Sequence, residues 1–345
     1  MDDASYSLCL AYFQREDYNA SREIFEKFSV DFKDSPLKPQ AMYLLGTSLY
    51  NLEKFPEAID AFKNTAKSFP QDTELVQKCE YEIADCFYRM GDEKEAMSRF
   101  RALRSRYPDS SLTPEVMWWL GEYYYRNNEL DPARRYFSSL VQDFSKSSLV
   151  PDAYYALGVT YAEESKYEEA INNFKKVIEL GRSDLAGTAA VAIGDIYLKR
   201  EKLELALKTY KEVSSEYQNL AHLIYPKIGE VYYLMRNYEE SMAYYTKSLG
   251  LAPVKEMANI QFKIAEIKQA QGKYAEAIEE YLKVSYLYSE NNDLTVKSLL
   301  RVAAIYEDRE NFKEALSVYK KIASMDVEEA KYAQEKIEAI KANIK

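Results

Sequence analysis

Between Tyr154 and Leu180 the chain reads YYALGVTYAEESKYEEAINNFKKVIEL. Apolar residues return every three or four positions, the period of a helix with one buried face. Leu157, Gly158 and Tyr161 stand at i, i+1 and i+4 and share that face. After a polar stretch the same period resumes through Tyr167, Ala170 and Phe174. The pattern predicts two amphipathic helices joined by a short turn.

The pattern recurs along the chain. Aligning the small residue of the first helix brings out nine copies, at Cys9, Gly46, Ala84, Gly121, Gly158, Gly194, Gly229, Ala265 and Ala303, spaced 35 to 38 residues apart. Twelve residues later each copy has Ala or Ser, from Ser21 to Ala315. Sixteen residues later each has an aromatic: Phe25, Phe62, Phe100, Phe137, Phe174, Tyr210, Tyr245, Tyr281 and Tyr319. Small residues mark close helix approach, where a long side chain would overpack the contact, and the aromatics fill the wider gaps beside it. Turn words such as NLEKF, RMGDEKE, RNNEL and AQGKY place Asn and Gly where a left-handed or capping conformation is needed. Pro70, Pro108 and Pro253 end a helix and set the next linker.

Each copy is thus a helix–turn–helix hairpin that cannot bury its apolar face alone, so stacking on the next copy completes the core. The reading predicts nineteen helices, nine pairs and a lid. Repeats start near residues 2, 39, 77, 114, 151, 187, 222, 258 and 296 and form one continuous array over 1–325. Residues 326–345 read as a capping helix in which Tyr332, Ile337 and Ile340 cover the exposed end.

Composition agrees with helix: apolar content is 47%, and Gly and Pro number only ten each. The formal charge of −10 argues against a broad nucleic-acid footprint, which leans on Lys and Arg. No apolar run is long enough to span a membrane. The start, MDDASYS, lacks a basic region followed by an apolar one. Because the chain opens inside a repeat, Met1 reads as the start of a trimmed chain. The compartment therefore stays open: envelope or periplasm if a leader was removed, cytoplasm otherwise. Cys9, Cys79 and Cys86 read as small buried thiols. Cys79 and Cys86 lie seven residues apart on one helix, about 10 Å, too far to bridge within it.

Candidate chemistry is sparse. No HExxH, GxSxG or GxxxxGK[ST] occurs. The single histidine, His222, opens a first helix and reads as packing or surface. With 56 acidic residues, carboxylate pairs arise by accident, so a hydrolase working by paired carboxylates in a helical barrel is a weak alternative. No catalytic residue, cofactor or metal is predicted. A self-assembling stack, with end faces pairing between chains, is the other alternative.

The pattern small–x–x–Tyr … Tyr–x–x–Ala–x–x–x–Phe … Pro resembles the tetratricopeptide repeat. It reads here as Gly158, Tyr161, Tyr167, Ala170 and Phe174, and again as Ala84, Phe87, Ala96, Phe100 and Pro108. The resemblance runs from Tyr6 to about Met325, with units longer than the family's 34 residues. KSFPQD and SRYPDSSLTPEVMWWLGEYYY are similar to a long-linker bacterial subgroup, which includes the outer-membrane assembly lipoprotein and the Tol–Pal-associated cell-division coordinator. The resemblance implies an all-α, right-handed α-solenoid whose first helices form a concave wall. It implies a non-enzymatic scaffold for a protein or peptide partner. On that wall stand Tyr43, Tyr81, Trp118 and Tyr155 three before the small residue, Tyr50, Tyr88 and Tyr125 four after it, and Asp85 and Glu122 one after it. Aromatics bury much area with few rotors, and carboxylates favour a basic segment. These nine residues are the predicted peptide-binding face, for a partner carrying Lys or Arg beside apolar anchors. The competing reading is that the rings mostly pack on neighbouring helices. Some family members clamp a chaperone's terminal carboxylate with Lys and Asn; Tyr81, Asp85, Trp118 and Glu122 depart from that set, and Arg89 and Arg126 are the only bases nearby.

Overall fold

The repeat pattern sets a steric demand: a ring must sit where each first helix has no side chain. A computed structural model of the chain describes residues 1–181, 183–290 and 292–343. Among them are nineteen α-helices and one 3-10 turn, Gln218–Leu220, with no strand. The helices fall into two compact units, Met1–Val177 and Ile178–Lys345.

The first unit contains α1 (Asp2–Gln14), α2 (Tyr18–Asp31), α3 (Lys38–Asn51), α4 (Phe55–Ser68), α5 (Thr73–Arg89), α6 (Glu93–Arg106), α7 (Thr113–Arg126), α8 (Leu130–Asp143) and α9 (Val150–Glu163). Most of α10 (Tyr167–Glu179) belongs to it as well. The second unit contains α11 (Ser183–Lys199), α12 (Leu203–Glu216), α13 (Ala221–Leu234), α14 (Tyr238–Leu249), α15 (Val254–Ala270), α16 (Tyr274–Leu287), α17 (Asn292–Asp308), α18 (Phe312–Ala323) and α19 (Glu329–Asn343). Within each unit a helix packs mainly on the helices before and after it in sequence, as stacked hairpins require.

The ring sixteen residues on meets the demand. A Cβ on Gly46 would stand 2.6 Å from the Phe62 ring, and one on Gly158 2.6 Å from Phe174. In the second unit Gly194 faces Tyr210 at 2.4 Å and Gly229 faces Tyr245 at 2.9 Å on the same construction. Where the small residue is Cys9 or Ala84, it shares a buried cluster with Phe25 or Phe100.

The hairpin turns are alike in backbone but not in sequence. Seven residues after each small residue the chain takes a positive φ: at Glu16, Glu53, Gly91, Asn128, Ser165, Glu201, Arg236, Gly272 and Glu310. The N–H of that residue bonds the carbonyl three back, as in Glu53 to Tyr50 at 2.9 Å. The following N–H bonds the carbonyl five back, as in Lys54 to Leu49 at 2.9 Å. This is the Schellman closure of a helix C-terminus. Gly91, Asn128 and Gly272 meet the expectation of Asn or Gly. In NLEKF, however, Glu53 rather than Asn51 takes the left-handed place, because hairpin length fixes the position regardless of residue.

At the C-terminal end Ala333, Ile337 and Ile340 of α19 are buried against Tyr319 and Ile322. Tyr332 departs from its predicted covering role: it is 48% exposed, and its ring meets Tyr319 only edge-on at 6.4 Å. Ala333, next in sequence, turns inward in its place. Ile344 and Lys345, the end of the predicted 326–345 segment, lie outside the described residues. All three cysteines are free and buried, and burial pushes the Cys79 and Cys86 thiols up to about 12. His222 Nδ1 sits 3.1 Å from the Asn219 carbonyl oxygen. Among the described residues no helix is long and apolar enough to cross a membrane.

Candidate functional site

The nine predicted residues lie on α3, α5, α7 and α9, the first helices of four successive hairpins in the first unit. All nine are half-buried. The cause differs between the two sets of rings.

Rings three before the small residue lean on the aromatic of their own hairpin. Tyr43 meets Phe62 at 5.5 Å, and Tyr81, Trp118 and Tyr155 meet Phe100, Phe137 and Phe174 at 5.3 Å each. Part of each ring is therefore core. The second unit arranges this differently. There the residue three before is Val191, Pro226 or Leu300 in three of four hairpins, and the residue sixteen after is Tyr instead of Phe. The freed space admits a hydroxyl: Tyr210 donates to Asp195, and Tyr319 to Glu307. Phe262 is the exception, packing edge-on at 5.2 Å against Tyr281, which donates to Gln269 at 2.8 Å.

Rings four after the small residue reach across to the next hairpin. The Tyr50 hydroxyl donates to Asp85 and accepts from Arg89 Nε at 2.9 Å, while Arg89 lies 3.6 Å from Asp85. The Tyr88 hydroxyl accepts from Arg126 Nη1 at 3.1 Å; the guanidinium lies over the Tyr88 ring and 3.2 Å from Glu93. The Tyr125 hydroxyl donates to Glu163 at 2.6 Å. These rungs tie successive hairpins together, and their rings stay half-buried.

Electrostatics follow burial. Glu82 accepts from the Tyr43 hydroxyl at 2.8 Å, yet burial holds its carboxyl above the usual range and that hydrogen bond only partly offsets the shift. Burial also raises Glu122, with Arg126 pulling the other way. Burial, then Glu163, pushes Tyr125 up to about 12. Burial comes first among the causes raising Tyr43, Tyr50 and Tyr81 as well.

Asp85 and Glu122 hold the same register but not the same state. Asp85 is engaged by Tyr50 and Arg89, whereas Glu122 has no hydrogen-bond or ion-pair partner among the described residues. Glu82, Glu115 and Trp119 belong to this region and were not picked from sequence. Glu82 was visible as a carboxylate two before the small residue, a column that elsewhere holds Leu44, Trp119 and Ala156.

On the matching face of the second unit several charged residues pair with one another. Lys227 lies 2.7 Å from Asp195, Lys263 lies 3.1 Å from Glu266, and Arg301 lies 4.0 Å from Glu266. Among the described residues no group of three or more His, Cys, Asp or Glu is placed to hold a metal.

Family models described as tetratricopeptide repeat match residues 6–73, 79–110, 115–147, 151–184, 224–255 and 256–326. Among solved structures, the C-terminal part of a TPR repeat-containing protein from Cytophaga hutchinsonii is 18% identical, with a TM-score of 0.58 over 71% of this chain and 95% of that one. A tetratricopeptide repeat protein from Parabacteroides merdae is 16% identical, with a TM-score of 0.47 over 78% and 98%. A MamA structure from Desulfovibrio magneticus RS-1 is 19% identical, with a TM-score of 0.45 over 52% and 97%. No curated protein matches the sequence. With these models laid over most of its length and hairpins that repeat one small-to-aromatic contact, the chain belongs to the tetratricopeptide repeat family.

Proposed function

We propose that the chain is a non-catalytic scaffold whose α3–α9 face takes an extended peptide or a helix from a partner protein, one carrying Lys or Arg beside apolar anchors. One observation carries the reading: half-buried rings recur on four successive first helices, from Tyr43 to Tyr155, with half-buried carboxylates beside them on α5 and α7. Rings held by neighbours lose little freedom on binding, which suits them as anchors. The long-linker resemblance adds a bacterial envelope complex as the setting.

The test is capture of a partner by the whole chain against a variant with Tyr88→Ala, Trp118→Ala and Tyr125→Ala together. Circular dichroism must first show that helix content is kept. Loss of capture is expected; undiminished capture by the folded variant rules this face out.

Self-assembly is a second reading with one observation behind it. Leu8 is 50% exposed, whereas Ile83, Leu120 and Leu157, at the same register, are buried. The outer side of α1 thus presents a stacking position uncovered. Sedimentation velocity across concentration, with Leu8→Glu as the comparison, separates a dimer through α1 from a monomer.

A further inference from the structure

The carboxylates of the α3–α9 face divide sharply by what they touch. Glu82 accepts from Tyr43, Asp85 from Tyr50, and Glu163 from Tyr125, while Glu93 meets Arg126. Glu122 has none of these. Arg126, one turn on along α7, is the nearest cation, but its guanidinium reaches Glu93 and the Tyr88 hydroxyl. Glu115, seven residues before Glu122 on the same side of α7, has a buried Oε2 with no donor. Trp119 Nε1, one turn from Glu115, is buried with no acceptor. Trp118 lies between the two carboxylates and Tyr125 follows them, both half-buried.

Resting on the scaffold reading above, we infer that Glu122 is the anchor for one lysine or arginine side chain of the partner, with the ring of Trp118, one turn away on α7, beneath the aliphatic stem. A half-buried carboxylate without a partner is costly to hold in the free protein. A cation arriving with the partner removes that cost at the moment of binding. Charge-assisted hydrogen bonds to such a group are stronger than neutral ones. Asp85 and Glu82 already have donors and gain less from a new cation. Charge complementarity therefore concentrates at α7 instead of spreading along the face, and one basic position of the partner should dominate.

A displayed library of random twelve-residue peptides, selected on the full chain, tests this. The selected peptides should carry a Lys or Arg at one register, flanked by apolar residues. Replacing that residue by norleucine, or making Glu122→Gln, should each weaken binding at least tenfold. Asp60→Asn, which removes one charge from an exposed position of α4, should change it less than threefold. Peptides that bind, depend on Tyr88, Trp118 and Tyr125, and ignore Glu122→Gln would overturn this inference and leave the scaffold reading standing. If no selected peptide depends on those three rings, the scaffold reading falls and takes the inference with it.

Discussion

Gly121 and Phe137 share one space: a Cβ on Gly121 would stand 2.4 Å from Cε1 of the Phe137 ring, which is itself fully buried. Gly121→Ala gains about 1 kcal/mol of helix propensity but overpacks a contact of a kind that typically costs ~1–3 kcal/mol. The net effect is destabilising. Phe137→Leu on its own opens a cavity, so the double variant should lose less than the sum of the two single losses. Urea unfolding of the four proteins measures that coupling. Strict additivity would mean that the ring is not what excludes a side chain here.

That contact explains what could be read from sequence. Steric exclusion acts over sixteen residues within one hairpin and leaves a column of small residues opposite a column of rings. The engagement of the carboxylates left no such mark. Asp85 and Glu122 look equivalent in register, yet Asp85 is satisfied by Tyr50, 35 residues earlier, while Glu122 has no such donor. Hydroxyl direction across a repeat interface depends on packing that spacing does not encode. The left-handed turn position was half visible. It falls in one column, but Glu, Ser or Arg fills six of its nine places, so composition points away from a geometry that the hairpin length imposes.

Those six places carry a stability prediction. An L-residue in the left-handed region costs roughly 1–2 kcal/mol, and glycine avoids that cost. Glu53→Gly should therefore stabilise the first unit by about 1 kcal/mol, the reverse of a glycine placed mid-helix. The mirror experiment is Gly91→Ala, where a Cβ meets nothing within 4 Å but φ is +82°. It should destabilise by about 1 kcal/mol, purely through the backbone. Chemical denaturation followed by circular dichroism checks both signs.

Glu82 predicts a pH effect. Burial raises its carboxyl in the folded state above the unfolded value, so the folded state binds the proton more tightly. Stability contributed by this group therefore rises as pH falls through the raised folded value, and is lost again as pH climbs toward neutral. Glu82→Gln keeps an oxygen for the Tyr43 hydroxyl and removes the buried charge. It should be more stable than the parent at pH 7 and indistinguishable from it well below the ordinary glutamate range. A variant less stable at pH 7 would show that the Tyr43 hydrogen bond outweighs desolvation.

Tyr50 separates the structural role of a rung from its binding role. Its hydroxyl stands between Asp85 and Arg89 of the next hairpin, while its ring packs edge-on against Phe55 at 5.6 Å. Tyr50→Phe removes the oxygen and keeps the ring. Asp85 then loses one donor but retains Arg89 at 3.6 Å, so the loss should be about 1 kcal/mol, that of an ordinary hydrogen bond and short of a stranded charge. Asp85→Ala in the Tyr50→Phe background should cost less than in the parent, because the shared bond is already gone. If the rung only couples hairpins, partner capture per folded molecule stays unchanged in Tyr50→Phe while the unfolding midpoint drops. A drop in capture with an unchanged midpoint would instead make the Tyr50 hydroxyl part of the recognition surface.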